Sequence, residues 1–236
     1  MLNADGSVLS SGAGGIMWNN LKSGRSGWLL EGIAGELVNG VNEMVSDGHG
    51  GLFFGTCDIE MVESGGTPRP TQIYRLTRER ELLKMIDDIG FANGIMYDLE
   101  NNRFYCNDTF CGTWVFDVRS DLSMSNKRML IEKEDADGMA LDAEGNIWIT
   151  GFRSGSITRI SPNGTVLPAV DTPGEAITQV RFGGEDMRDI YINAVPLEGG
   201  DNLKDGEIPT EKRSFLYRGR SVVPGRPIAP TQFDLN

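Results

Sequence analysis

Short apolar runs alternate with tight polar turns along most of the chain, and no amphipathic stripe of three helical turns interrupts them. The clearest stretch is residues 135–150, DADGMALDAEGNIWIT. An acidic loop ends in Ala136-Asp137-Gly138, and an apolar run covers residues 139–141. The turn Asp142-Ala143-Glu144-Gly145-Asn146 then leads into a second run, residues 147–150. Two such runs around a Gly-containing turn predict a β-hairpin. Gly138 predicts a loop backbone in a conformation closed to other residues, holding Asp137 at the mouth of a strand.

The same phrase recurs upstream. Ala92-Asn93-Gly94 precedes Ile95-Met96-Tyr97 and a turn from Asp98. Val41-Asn42-Glu43 precedes Met44-Val45-Ser46 and a turn from Asp47. A fainter copy is Thr178-Gln179-Val180-Arg181-Phe182. The turn acids Asp47, Asp98 and Asp142 are spaced 51 and then 44 residues apart. A hairpin repeated at about 40–50 residues predicts an all-β chain folded as a β-propeller. Units are expected over residues 38–85, 90–132, 135–168 and 176–220. Residues 1–37 are read as an outer-strand turn, Asn3-Ala4-Asp5-Gly6-Ser7-Val8, followed by remnants of an incomplete first blade. The Pro-rich segment 224–230 is expected to lie extended on the surface. Residues 1–236 read as a single domain. Equivalent positions in successive blades converge on one end of the central channel, so Asn42, Asn93 and Asp137 are expected around one axis.

Composition narrows the chemistry. A net charge of −12 and a pI near 4.6 argue against nucleic acid. No signal-peptide pattern and no run of about 18–20 apolar residues is present, so a cytoplasmic protein that does not enter membranes is expected. Three cysteines, Cys57, Cys106 and Cys111, without a CxxC spacing, are expected to be free thiols. The single His49 falls in a hairpin turn away from the expected mouth, which leaves no Ser-His-Asp or Cys-His site. No GxSxG, P-loop or HExxH motif occurs. What remains is oxygen chemistry. Asp137 offers a carboxylate, Asn93 and Asn42 offer amide carbonyls, and Glu43 and Glu60 stand nearby in the pattern. Such donors suit a hard cation such as Ca²⁺. A cation beside a carboxylate suits hydrolysis of an activated ester such as a lactone.

At these residues the chain resembles the six-bladed propellers that include regucalcin (senescence marker protein), gluconolactonase and luciferin-regenerating enzyme. The resemblance runs from about Asn3 to Pro230. It is carried by Asn42 through Gly55-Thr56, by Ala92-Asn93-Gly94, by Ala136-Asp137-Gly138 with its turn and Trp148, and by Phe182-Gly183-Gly184. It implies a six-bladed β-propeller, here lacking part of the first blade. It also implies a divalent metal at the channel mouth, Ca²⁺ first, with Mn²⁺, Mg²⁺ or Zn²⁺ as alternatives. By motif, Asn93 and Asp137 match the metal-binding residues, and Asp137 matches the proton acceptor and donor. Asn42 and Glu60 match residues that touch substrate. The family's remaining ligand, a Glu in an N-terminal Gly-Glu-Gly-Pro type phrase, has no counterpart here. The expected function is therefore a metal-dependent lactonase acting on a small lactone, as a monomer or weak oligomer. The alternative is a non-catalytic propeller that binds a small molecule or calcium.

Overall fold

The structure, a computed structural model, describes residues 1–36, 40–58, 61, 64, 69–197 and 213–235. Their strands form five antiparallel sheets, and the fold is all-β. Blade one holds β1 (Val8–Gly12), β2 (Gly15–Asn20) and β3 (Arg25–Glu31). Blade two holds β4 (Gly40–Ser46), β5 (Leu52–Cys57), β6 (Thr71–Leu76) and β7 (Leu82–Ile89). Blade three holds β8 (Ala92–Asp98), β9 (Arg103–Asp108), β10 (Gly112–Val118) and β11 (Met124–Glu132). Blade four holds β12 (Ala136–Leu141), β13 (Ile147–Gly151), β14 (Ser156–Ile160) and β15 (Val166–Asp171). Blade five holds β16 (Ala176–Gly183), β17 (Asp189–Val195) and β18 (Phe215–Arg220).

The inner strands pack in series, β4 on β8, β8 on β12 and β12 on β16. Burial is deepest in the second strands: all of Leu52, Phe53, Phe54, Phe104, Tyr105, Ile147 and Ile149 are 1% exposed or less. Rings from adjacent blades interlock there, with Phe53 edge-on to Tyr97 and to Phe104. Burying such aromatic area supplies most of the driving force between blades.

The first blade differs from expectation. The segment from Asn3 to Val8 is not a turn between outer strands. Asn3 N bonds to Ser7 O, a bond that recurs in first-to-second-strand turns (Asp47 N to Gly51 O, Asp142 N to Asn146 O) and in outer turns alike (Thr77 N to Glu81 O, Ser161 N to Thr165 O), so the packing of the next strand decides its place. From it β1 runs toward Asn42, whose carbonyl accepts from Ser11 Oγ, and packs on β4 as β5 packs on β8. The N-terminal residues thus build a fifth sheet, and β1 to β3 hold second, third and fourth positions. Only Met1 and Leu2 reach the inner slot, where Met1 O accepts from Leu9 N. No comparable packing joins β16 to blade one among the described residues, which leaves a seam between blades five and one.

The C-terminal segment answers the seam from below. Residues 221–235 cross the turn face as a strap that touches every blade. Gly225 N bonds to Met187 O, Ala143 N to Pro224 O, Arg226 N to Leu141 O, Gln232 N to Gly50 O and Thr231 N to Leu2 O. Arg226 also pairs with Asp98 and Glu100. Phe233 and Leu235 end the strap buried at 4% and 5% exposure beside Leu9 and Leu76.

Cys57, Cys106 and Cys111 are free thiols, as expected. Burial pushes the Cys57 thiol up to about 12 and that of Cys106 higher still. His49 is exposed in its turn. Among the described residues no helix is long and apolar enough to cross a membrane.

Candidate functional site

Each inner strand breaks its pairing register near its start. The irregularities fall between Val41 and Glu43, Ala92 and Ile95, Ala136 and Met139, and Ile177 and Gln179. An extra residue in a strand re-aims the side chain it carries and leaves backbone groups unpaired. Those groups are satisfied from the preceding blade or, for Gly138, from the neighbouring strand of its own blade. Asn42 Nδ2 donates to Ala92 O at 3.1 Å, and Thr109 Oγ1 donates to Ala136 O at 2.8 Å. Asn107 Nδ2 donates to Asp137 O at 2.6 Å, and Thr150 Oγ1 donates to Gly138 O at 3.2 Å. Blades two and three thus each help to fix the bulged stretch of the blade that follows.

Gly94 and Gly138 lie inside strands, not in loops, and neither has a left-handed φ. The expected reason for Gly138, loop freedom, is replaced by close approach. A Cβ on Gly138 would stand 2.4 Å from Gln179 Oε1 and 2.6 Å from Thr178 O. A Cβ on Gly94 would stand 2.4 Å from Asp137 O. The missing Cβ is what lets successive inner strands bring their polar side chains together.

The structure joins three of the sequence-derived site residues. Asn42 Nδ2 lies 3.3 Å from Asn93 Oδ1 and donates to it. Asn93 Nδ2 donates to Thr109 Oγ1 at 3.3 Å, and the Asn93 side chain stands near enough to the Asp137 carboxyl to favour its charged form. Burial pushes the Asp137 carboxyl well above the usual carboxylate range, and the negative charges of Glu43 and Asp135 push it further; Asn93 offsets only part of this. Asp135 is itself held by Lys133 Nζ at 2.6 Å. Glu60 lies outside the described residues.

The donors that converge here are all oxygens on a carboxylate and two carboxamides. That chemistry, with a carboxyl whose charge lacks a compensating cation beside it, fits a hard divalent ion. No group of three or more His, Cys, Asp or Glu that could hold a metal occurs among the described residues. Any ion here would therefore rely on the amides.

Sequence reading left three participants without a role. Asn107 holds the Asp137 backbone and is itself fixed by Thr113 Oγ1 at 2.7 Å. Thr178 occupies in blade five the slot of Asn42, Asn93 and Asp137, with its Oγ1 accepting from Asn193 Nδ2 at 3.0 Å. Arg181 enters the channel three residues beyond Thr178, where it lines a cavity of about 240 Å³ with Met96, Ala140 and the strap residues Arg226 and Ile228. The repeat offset could have located Thr178 and Arg181; Asn107 lies on a second strand and carries no such signal.

Known proteins give the fold and its relations a context. Pentonolactonase XacC of Haloferax volcanii is 26% identical over 193 residues, which cover 79% of this chain and 64% of that protein. Regucalcin of Danio rerio is 29% identical over 189 residues, covering 77% and 62%. The chain thus spans just under two thirds of the length of these relatives. A solved calcium-binding protein, regucalcin from Agrobacterium tumefaciens, superposes with a TM-score of 0.76 at 19% identity, covering 99% of this chain and 78% of that one. Residues 1–195 match the family described as the SMP-30/Gluconolactonase/LRE-like region, and the chain belongs to that family.

Proposed function

We propose that this protein is a metal-dependent hydrolase that opens a small lactone. The observation that carries the reading is the approach of Asn42, Asn93 and Asp137 on three successive inner strands, with Asn42 bonded to Asn93 and Gly94 close against the Asp137 backbone. Asn93 and Asp137 would hold the metal, with Ca²⁺ preferred and Mn²⁺, Mg²⁺ or Zn²⁺ as substitutes. When bound, such an ion polarises a carbonyl and makes water more acidic. Asp137 takes a proton at its carboxylate from the attacking water and returns it to the oxygen of the opened ring. Asn42, exposed at the mouth, orients a substrate hydroxyl, the role also assigned to Glu60. Relatives named as a pentonolactonase and a calcium-binding regucalcin support the reaction class and the ion.

The reading includes a six-bladed ring, with which the five described sheets and the lack of comparable packing between β16 and blade one among the described residues are compatible. The acidic composition is compatible with a cytoplasmic monomer or weak oligomer. A second reading, a propeller that binds without catalysis, is favoured by one observation. Among the described residues only Asp137 brings an unpaired formal charge to the amides, because Glu43 is already engaged by Arg181. The test is lactone opening, followed by proton release with gluconolactone, after chelation and after adding back Ca²⁺ or Mn²⁺. Loss on chelation and recovery with metal supports the hydrolase. Binding without turnover supports the second reading, and turnover indifferent to chelation removes the metal from the mechanism.

A further inference from the structure

Glu43 follows Asn42 on β4, in the slot that Gly94 and Gly138 occupy in the next two blades. Its carboxylate is held from the opposite wall of the channel. Arg181 Nη2 donates to Glu43 Oε1 at 2.9 Å, and Gln179 Nε2 donates to Glu43 Oε2 at 2.7 Å. Blade five thus engages both oxygens of an acid from blade two. Arg181 is set for this by its other donations. Its Nη1 bonds to the carbonyls of Met139 at 2.5 Å and Val180 at 3.0 Å, and to Gln179 Oε1.

The guanidinium departs from the repeat. Val45, Met96 and Ala140 stand three residues beyond Asn42, Asn93 and Asp137, and all are apolar. Arg181 stands three beyond Thr178 and brings a charge to the same ring. It is only 30% exposed, and Glu43 17%, so solvent screens the pair weakly. Glu43 also acts electrostatically on Asp137, so its carboxylate belongs to the same field as the candidate metal donors.

We propose that Arg181 is a built-in counter-ion for the metal site: it holds Glu43 in the ion-free protein, and a divalent cation at Asn93 and Asp137 takes Glu43 over as a further oxygen donor. The inference rests on the metal reading above. It gives the site a second carboxylate beside that of Asp137. It also sets a threshold. A cation must outcompete a guanidinium already in place, so affinity is lower than the donor set alone would give, and a divalent ion is favoured over a monovalent one.

Calorimetric titration of the full chain with CaCl₂ at fixed ionic strength tests this. Arg181→Met removes a positive charge close to the ion and should tighten binding about tenfold or more. Glu43→Gln removes the proposed donor and leaves Arg181 unopposed, so binding should weaken by about tenfold or more. Arg181→Lys keeps the charge and should stay within about threefold of the parent. A purely structural brace would lower the melting temperature of Arg181→Met and leave the dissociation constant unmoved. Parent affinity in Arg181→Met, or in Glu43→Gln, overturns the proposal. If Asp137→Asn still abolishes Ca²⁺ uptake in that case, the metal reading stands alone. Failure of every variant, Arg181→Met included, to bind at about 10 mM Ca²⁺, above the weak end of oxygen sites, overturns both.

Discussion

Asp137 and Asp142 bracket one inner strand, come from one repeat and are treated in opposite ways. Asp142 is fully buried and fully met. Its Oδ1 accepts from Glu144 N at 3.0 Å and Asn146 N at 2.9 Å, and its Oδ2 accepts from Asn146 Nδ2 and Trp148 Nε1, both at 2.9 Å. Asp137 sits at the bulged end, where Asn107 donates to its carbonyl and not to its carboxylate. Two other acids face it, and its carboxyl is pushed up. Where donors converge on a carboxylate it serves the fold. Where they converge on the backbone behind it, the carboxylate is left for chemistry. The same division holds in the neighbouring blades, where Asp47 and Asp98 close turns and Asn42 and Asn93 face the mouth.

The comparison breaks most sharply at Asp137. Asp137→Asn should cost about 10²–10⁴-fold in lactone opening, the usual loss of a general base. Activity within about threefold of the parent would remove Asp137 from the mechanism. Stability should move the other way. The native site binds a proton more readily than the unfolded chain, so stability falls as pH rises from the ordinary carboxylate range through the raised value. The Asn variant, lacking that titration, should be as stable as the parent or more so at neutral pH without metal, with a flatter stability–pH curve. Asp142→Ala should instead unfold the protein more easily, by about 3 kcal/mol in urea, because it orphans buried donors of Asn146 and Trp148. An Asp142→Ala protein of parental stability would show that the turn does not depend on its acid.

The strap sharpens the same contrast at about 2 kcal/mol. In blade two the buried turn acid Asp47 is met by Arg75 of its own blade at 2.8 Å. Blade three has Phe116 facing Phe104 where blade two has Arg75 facing Phe53, and Asp98 takes Arg226 from the strap instead. Arg226→Met should therefore destabilise by about 2 kcal/mol, since it leaves Asp98 at 1% exposure with only its Asn101 donors. Adding Asp98→Asn should recover part of the loss. Two independent, additive losses would mean the residues do not act as a pair.

The hairpins and three mouth residues were legible because the repeat writes them at fixed offsets from Asp47, Asp98 and Asp142, and hydrophobic alternation marks the strands. Two kinds of feature were not. Blade one was misassigned because the phrase from Asn3 to Val8 suits either of two turns on the same face, each followed by a strand of the same direction, and only the packing of β1 on β4 decides between them. The strap and the Glu43–Arg181 contact are long-range pairings, 138 residues apart in the second case, between segments with no shared local pattern. Arg226 in a Pro-rich tail reads as surface, and nothing near it in sequence shows that it replaces a counter-ion missing from blade three.

The glycines of the two ends give the smallest and most diagnostic effect. Gly145, in the turn after Asp142, has φ of +80°, with Pro162 Cγ 3.2 Å from where a Cβ would stand. It is needed for its dihedral, so Gly145→Ala should cost about 1 kcal/mol, and Gly145→Asn less, because Asn tolerates the left-handed region better than Ala. Gly138 has no such dihedral and is needed for its missing side chain, since the backbone oxygen of Thr178 lies 2.6 Å from the Cβ position. There Ala forces β12 and β16 apart, and the bulkier Asn should be worse than Ala. Thermal unfolding of the four variants should thus give opposite orders, Asn above Ala at 145 and Ala above Asn at 138. The same order at both positions would mean that the two ends do not differ in the way their carboxylates indicate.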